Sequence, residues 1–411
     1  MRKKASLGDG RGSVFARPGY RRLWAARTVS QWGDIVQFTT VALLVLHLTG
    51  SGVSVSGAVL AEVVPFVALA PLAGLLVDRL PRVKVMVAAD LVRVTLAGLL
   101  AAFHGQVWMV YAVAFGLSAG SAFFNPAAGS LLPALVGDDQ LVAANSGIWS
   151  AAVLSQVVLA PVAGILATTV GYGAAFALNA ASFAASAALL VGLRAGEAPR
   201  PVPSARMWAE ARRGFGVVVA DRVLRALAVA QALAALSAGA TSALLVVLVR
   251  SHLHASATGY GLALGAIGIG AFAGPFALSR LPARDGHARL VVGAFGLRGL
   301  VDLTLASVTV LPAALGALVA YGLGTSTGNV SFSSLIQHRV PDENRGRVFS
   351  VFDLVWHACR LVSIAVGGVL ADAYGISAVY YAGGSLLLLA AITGIGALRQ
   401  GPRPGPSTDG N

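Results

Sequence analysis

The sequence has few charged residues and almost no cysteine, and both shortages narrow the class of protein. Asp, Glu, Lys and Arg make up 11% of its 411 residues, whereas 56% are hydrophobic. A soluble domain of this size could not cover so much apolar surface with so few charges, so the chain is predicted to be a polytopic membrane protein. The single cysteine, Cys359, excludes an intramolecular disulfide framework and a multi-cysteine metal site.

Aromatic residues are also scarce, at 7%, while glycine is abundant, with 49 residues. This composition favours transmembrane helices packed through small residues over a β-barrel, whose strands would show short alternating segments. Apolar stretches of about 20 residues predict an all-α polytopic membrane protein with 12 transmembrane helices. They lie at 23–48, 53–77, 85–103, 107–128, 144–168, 172–193, 223–249, 257–279, 290–309, 311–335, 348–370 and 376–398.

Lysine and arginine lie almost entirely on one side of these spans. With the N-terminus inside, the inner segments hold 25 of the 30, the outer loops only Arg250, and the remaining four lie within spans. The positive-inside rule then places both termini in the cytoplasm. Because the basic residues are spread between apolar segments, the net charge of +13 does not indicate a nucleic-acid partner. The first 22 residues lack an apolar signal-peptide core, so no cleavage is expected.

The chain also repeats itself. An offset of 204 residues makes 13 of the 52 positions from Gly120 to Gly171 identical to positions in the second half. We therefore expect two pseudo-symmetric six-helix bundles, the arrangement of secondary transporters that bind substrate between their halves. The predicted segments are a cytoplasmic N-terminal segment (1–22), an N-terminal bundle (23–193), a cytoplasmic linker (194–222), a C-terminal bundle (223–398) and a cytoplasmic tail (399–411).

The end of the linker has apolar residues at helical spacing beside Arg212 and Arg213. This pattern indicates an amphipathic helix on the inner leaflet, with a partner-binding helix as the alternative.

Ten ionisable residues fall within the spans, and facing lipid they would together cost on the order of 20–30 kcal/mol, so they must be paired or face a wet cavity. They are Arg27, Asp34, Glu62, Asp90, Arg93, Arg298, Asp302, Asp353, His357 and Arg360. Asp34 lies roughly 18 Å into span 1, near polar Gln31, and Glu62 is deep in span 2. Since shielding from water favours the protonated form of a carboxylate, both are predicted proton carriers, against a structural hydrogen-bonding role.

Two spans carry an arginine and an aspartate on one face. Asp90 and Arg93 are three residues apart, and Arg298 and Asp302 are four apart, so each pair is either a simple intrahelical ion pair or part of a polar cavity. Arg360 would suit an anionic group of a substrate or a gated acid.

The stretch GLLVDRLPR (74–82) resembles the G-x-x-x-D-R-x-x-R signature between helices 2 and 3 of the major facilitator superfamily. Similar stretches include VSQWGD (29–34), FFNPAAGSLLPALV (123–136) and IQHRVPDENRGRVFS (336–350), so the likeness to the macrolide-efflux and enterobactin-exporter-like branch covers nearly the whole chain. The resemblance implies a cytoplasmic gate between the signature and the start of span 11. Its predicted residues are Gly74, Asp78, Arg79, Arg82, Arg345, Arg347 and Asp353.

The antiporter signature that the same superfamily carries on span 5 is only partly present. Gly147, Pro161 and Gly164 match it, whereas Gln156, Ala160 and Ala163 depart from it. These departures weaken the sequence support for antiport.

The resemblance and the buried charges together predict a proton-driven exporter of a small amphiphilic organic compound, such as a drug, antibiotic, siderophore or secondary metabolite. We expect a monomer in the bacterial cytoplasmic membrane, energised by the proton gradient and needing no cofactor or metal. The alternatives are uptake, uncoupled facilitation and a transporter-like sensor without flux. An enzyme is not expected, because no metal-ligand spacing, nucleophile motif or phosphate loop occurs.

Overall fold

The computed structural model describes residues 13–193, 207–279 and 287–399. Regular secondary structure within these ranges is entirely helical. In the first half of the chain the long helices are α1 (Pro18–Thr49), α2 (Gly52–Arg79), α3 (Arg82–Ala102), α4 (Val107–Val136), α5 (Leu141–Thr169) and α6 (Tyr172–Leu190). Those that follow are α7 (Met207–Ala220), α8 (Arg222–Ala243), the short α9 (Leu245–Val247), α10 (Ala257–Ser279), α11 (His287–Ser307), α12 (Leu311–Arg339), α13 (Asp342–Tyr374) and α14 (Ile376–Arg399).

Each of the twelve predicted spans coincides with a long helix. Among the described residues, 11 helices are long and apolar enough to cross a membrane. The twelfth, α12, has 29 residues but a second half rich in serine and threonine, which lowers its hydropathy. The predicted all-helical polytopic fold is therefore confirmed.

Several helices are longer than the apolar windows that predicted them. Whereas span 4 was predicted to end at residue 128, α4 continues to Val136 and ends before Gly137, whose φ is 79°. Similarly, α13 begins directly after Pro341, six residues before the predicted start of span 11. A helix is not limited to the membrane-spanning window, because backbone hydrogen bonding continues beyond it; α4 ends where Gly137 takes a positive φ, and α13 begins where Pro341 precedes it.

The predicted span at 223–249 is interrupted. Its first helix, α8, ends at Ala243, and α9 and a π-helical turn at Leu248–His252 follow. The described part of the predicted linker contains α7, which packs on α13. A Cβ on Gly214 of α7 would lie 2.6 Å from the Arg347 carbonyl oxygen, so glycine permits this approach.

The chain divides into two compact units. Unit 1 comprises Met1–Val202 and Val249–Gly268, and unit 2 comprises Pro203–Leu248 and Ile269–Asn411. The first half of α10 therefore belongs to unit 1. Glycines allow this half of α10 to pack closely on α5 of unit 1. A Cβ on Gly164 of α5 or on Gly261 of α10 would overlap the backbone of the other helix.

The internal packing of unit 1 is repeated in unit 2. In unit 1, α1 packs on α5 and α6, and α3 packs on α4 and α6. The corresponding helices of unit 2 make the same pairs, because α8 packs on α13 and α14, and α11 packs on α12 and α14. The sequence repeat thus corresponds to a repeated bundle.

Candidate functional site

Charged residues from α1 and α3 meet at the middle of unit 1. The Arg93 guanidinium forms an ion pair with Asp90 one turn earlier, and its Nη1 lies 3.7 Å from Asp34 Oδ1. Asp90 is fully buried, whereas the Asp34 side chain is 44% exposed. Of the two alternatives left open for Asp90 and Arg93, the intrahelical ion pair forms, and the partly exposed Asp34 adds a second carboxylate beside it.

Arg93 is held by neutral side chains as well as by these acids. Its guanidinium carbon lies 4.7 Å from the ring centroid of Phe124 and 4.2 Å from that of Phe183, distances typical of cation–π contacts. Its Nη1 donates to Ser121 Oγ at 3.1 Å, and Ser186 donates to Asp90 at 2.6 Å. The arginine is thus fixed from α3, α4 and α6, while Asp34 approaches from α1.

A second polar cluster in unit 1 surrounds Glu62. The Gln37 side chain lies close to the Glu62 carboxylate, and Asn179 donates to Gln37 Oε1 at 2.9 Å. Tyr260, from the first half of α10, is fully buried and lies within electrostatic reach of Glu62. Asp34 is also close enough to interact with Glu62, which links the two clusters.

The sequence did not point to Tyr260. It is one aromatic residue in a glycine-rich span, with no charge or periodic pattern nearby to single it out. Its hydroxyl is buried and has no hydrogen-bond partner among the described residues. Gln31, which the sequence did select, lies one turn before Asp34 and is partly buried.

In unit 2, the first of the two alternatives for Arg298 and Asp302, an intrahelical ion pair, does not form. Arg298 instead donates to the Tyr321 hydroxyl at 3.0 Å, with its guanidinium carbon 4.9 Å from that ring. Asp302 accepts from Ser237 at 3.2 Å, and its other oxygen has no hydrogen-bond partner in the described residues. Arg360, on α13, is partly buried and interacts electrostatically with Tyr321.

The signature residues between α2 and α3 differ in their surroundings. Asp78 and Arg79 are exposed at the end of α2. Arg82 is 6% exposed and its Nη1 donates to the Ser130 carbonyl at 2.9 Å, which attaches the start of α3 to α4. Gly74 has open space where a side chain would begin, so no packing contact requires glycine there.

The residues predicted for the other part of the gate lie at the start of α13 in unit 2. Arg345 pairs with Asp342 and donates to the Val340 carbonyl at 3.0 Å, and Arg347 donates to Asn344 at 3.0 Å. Asp353 is exposed two turns further along. Their assignment to gating stays a prediction.

The glycines and proline of the partial antiporter signature lie where α5 approaches its neighbours. A Cβ on Gly147 would lie 2.7 Å from the Tyr20 hydroxyl, which itself donates to the Ala144 carbonyl at 2.9 Å. At the other end of α5, Gly164 permits close approach to α10, and Pro161 contacts the same helix opposite Gly265. These residues serve close packing within unit 1.

Comparisons with known proteins agree with this architecture. Residues 12–401 match the family described as "Transmembrane secretion effector". Macrolide efflux protein A of Streptococcus pyogenes is 24% identical over 385 residues, covering 90% of this chain and 93% of that protein. The uncharacterized MFS-type transporter Rv0037c of Mycobacterium tuberculosis is 28% identical over 407 residues, covering 92% and 91%. The inward-facing crystal structure of a bacterial homologue of the iron transporter ferroportin superposes with a TM-score of 0.76 at 19% identity, covering 92% and 98%, and shows the shared fold.

A repeated helical bundle with buried charges at the middle of its spans defines a polytopic membrane transporter of the major facilitator type. The chain belongs to the transmembrane secretion effector family of that superfamily, and the resemblance drawn from its sequence motifs is confirmed.

Proposed function

We propose that this transporter exports a small amphiphilic organic compound by alternating access in exchange for protons, with both termini in the cytoplasm. The observation that carries the proposal is the contact between half-exposed Asp34 and buried Arg93. A carboxylate near the middle of a membrane-spanning helix is a functional site by default, because placing a charge at that depth otherwise only costs free energy. The macrolide efflux relative supports export as the direction.

The way in which Arg93 is held supports proton coupling. Protonation removes the charge of Asp34 and hence its attraction to Arg93. Asp90, Ser121 and the two phenylalanine rings keep the arginine in place. Asp34 can therefore separate from a fixed cation whenever it gains a proton, and return when it loses one. Glu62, within electrostatic reach of Asp34, is the second proton site of the proposal.

Transport in everted membrane vesicles tests this function. We expect amphiphilic compounds to accumulate inside everted vesicles when a proton gradient is imposed, and not when the gradient is collapsed. Equal accumulation with and without the gradient would indicate an uncoupled facilitator. Accumulation in right-side-out vesicles would indicate uptake. A chain that moves no compound in either orientation would contradict transport itself.

A further inference from the structure

Two arginines of unit 2 lie within electrostatic range of one tyrosine. Arg298 is 5% exposed and donates to the Tyr321 hydroxyl, while Arg360 interacts electrostatically with the same tyrosine. Arg298 lies near the middle of α11 and Arg360 near the middle of α13, so neither guanidinium is close to a helix end. Two cations so placed are costly unless something negative accompanies them.

The protein supplies too little negative charge at this place. Asp302 is the one acid near Arg298, but its Oδ2 is occupied by Ser237 and its Oδ1 accepts no hydrogen bond in the described residues. The buried Nε of Arg298 has no hydrogen-bond partner in the described residues, as is also true of Arg93 Nε in unit 1. The buried Nδ1 atom of His357, one turn before Arg360, has none there either. Donors that stay unpaired when buried carry the full cost of their desolvation.

Unit 1 shows what a compensated arginine looks like in this fold. A glycine of the following helix lies against the Arg93 stem in unit 1 and against the Arg298 stem in unit 2, Gly120 and Gly324 respectively. Arg93 contacts two carboxylates, a serine and two aromatic rings, whereas Arg298 hydrogen-bonds Tyr321 and has Asp302 within electrostatic range but not in contact. The arginine at this position of the repeat thus has two acids beside it in one half, and one acid and a second arginine near it in the other.

We infer that Arg298, Tyr321 and Arg360 form a subsite for an anionic group of the transported compound, so that the substrate class is amphiphiles bearing a carboxylate, sulfonate or phosphate. The inference rests on the proposed function, since it names the substrate of that transporter. Guanidinium groups suit such oxyanions because they offer several N–H donors in a planar fork. The Tyr321 hydroxyl, which accepts from Arg298, is free to donate its own proton to the anion.

Binding to matched pairs of probes tests the subsite without any proton gradient. The probes are cholic acid and indomethacin, each beside its uncharged methyl ester, applied to the full-length protein in lipid nanodiscs. We expect at least one acid to bind about tenfold or more tightly than its ester, the ratio that one charge-assisted hydrogen bond supplies. Equal binding of acid and ester in both pairs, or no binding of either acid, would overturn the inference.

Variants then assign the preference to these residues. Arg360→Gln should remove the acid-over-ester ratio, while Arg225→Gln, which neutralises an exposed arginine of the same unit, should leave it unchanged. Asp302→Asn should increase the ratio because it removes the competing negative charge, and Tyr321→Phe should reduce it. These two variants keep the test decisive where Arg360→Gln does not fold. A ratio that none of the three changes would contradict the assignment.

The vesicle assay separates this inference from the proposed function. Proton-driven export that does not distinguish acids from esters would leave the exporter standing and remove the anion subsite. Selective binding of acids by a chain that transports no compound would support the anion subsite and contradict the proposed export.

Discussion

Arg339 Nε donates to Asp221 Oδ2 at 3.0 Å and so ties the end of α12 to the start of α8. The offset of 204 residues places Arg17 and Leu135 at the same two positions of unit 1, and there Arg17 Nη1 donates to the Leu135 carbonyl at 3.4 Å. Both halves thus close the same junction between a first and a fourth helix, one by an ion pair and the other by a bond to the backbone. The repeat has kept the position of the contact while its chemistry changed.

Asp221 should stabilise unit 2 in two separable ways. Its carboxylate caps α8 by accepting from the backbone N–H groups of Val223 and Leu224, and it also pairs with Arg339. Asp221→Ala should lose both contacts, with about 0.5–2 kcal/mol attributable to the cap, and Asp221→Asn should lose mainly the exposed ion pair, worth about 1 kcal/mol or less. In detergent, the melting temperature should be highest for wild type, lower for Asp221→Asn and lowest for Asp221→Ala. Equal melting temperatures for wild type and Asp221→Ala would contradict both contacts.

The contribution of Asp221 should depend on pH. Burial alone would raise the pKa of Asp221, but the hydrogen bonds from Leu224, Arg339 and Val223 outweigh it and hold the pKa below its ordinary value. A group whose pKa is lowered by folding stabilises the folded state above its unfolded pKa and loses that effect as pH falls through the folded one. The melting difference between wild type and Asp221→Asn should be constant near neutral pH and shrink below about pH 4. A difference that grows on acidification would contradict this sign.

Close packing of α5 against α10 should depend on Gly164. A Cβ there would meet backbone atoms of Ala257 and Thr258, which cannot rotate away as a side chain could. Gly164→Ala should therefore destabilise unit 1 by about 1–3 kcal/mol, measured as a lower melting temperature. Gly129→Ala is the matched control, because position 129 has open space and alanine favours a helix by about 0.5–1 kcal/mol over glycine. An unchanged melting temperature for Gly164→Ala would show that α5 and α10 can move apart without loss of stability.

Much of the fold could be predicted from the sequence because the membrane imposes length and apolarity on each span. The same rule made buried charges conspicuous, which is how Asp34, Glu62 and Arg93 were found. Contacts between distant helices left no such signal. Neither the approach of Tyr260 to Glu62 nor the position of Arg93 between Phe124 and Phe183 has a spacing that sequence reasoning could detect. The failure of Arg298 and Asp302 to pair likewise depends on Ser237 and Tyr321, which other helices supply.

The two carboxylates beside Arg93 should give different mutant phenotypes. Asp34→Asn leaves Arg93 paired with buried Asp90, so the protein should fold and insert normally while proton-driven transport is lost. Asp90→Asn removes the buried partner and leaves Arg93 only the more distant, half-exposed Asp34, so the loss of stability should approach about 3–5 kcal/mol, the cost of breaking a buried ion pair. Folded yield from membranes and gradient-driven accumulation in everted vesicles measure the two effects. Undiminished transport by Asp34→Asn would remove Asp34 from the coupling mechanism.

Asp78 should set the balance between inward-facing and outward-facing states. Its side chain is exposed at the end of α2, where it is available to an opposing positive charge or helix N-terminus. If Asp78 holds the gate closed, Asp78→Asn should shift the balance towards the inward-facing state and leave the affinity of the inward-facing state unchanged. Cys359, partly buried on α13, is the one cysteine of the chain, so its labelling rate with a maleimide can report the shift without a cysteine-free background. We expect a several-fold change in that rate for Asp78→Asn and none for Asp139→Asn, which neutralises another exposed acid of unit 1. Altered substrate affinity with an unchanged labelling rate would place Asp78 in binding and not in gating.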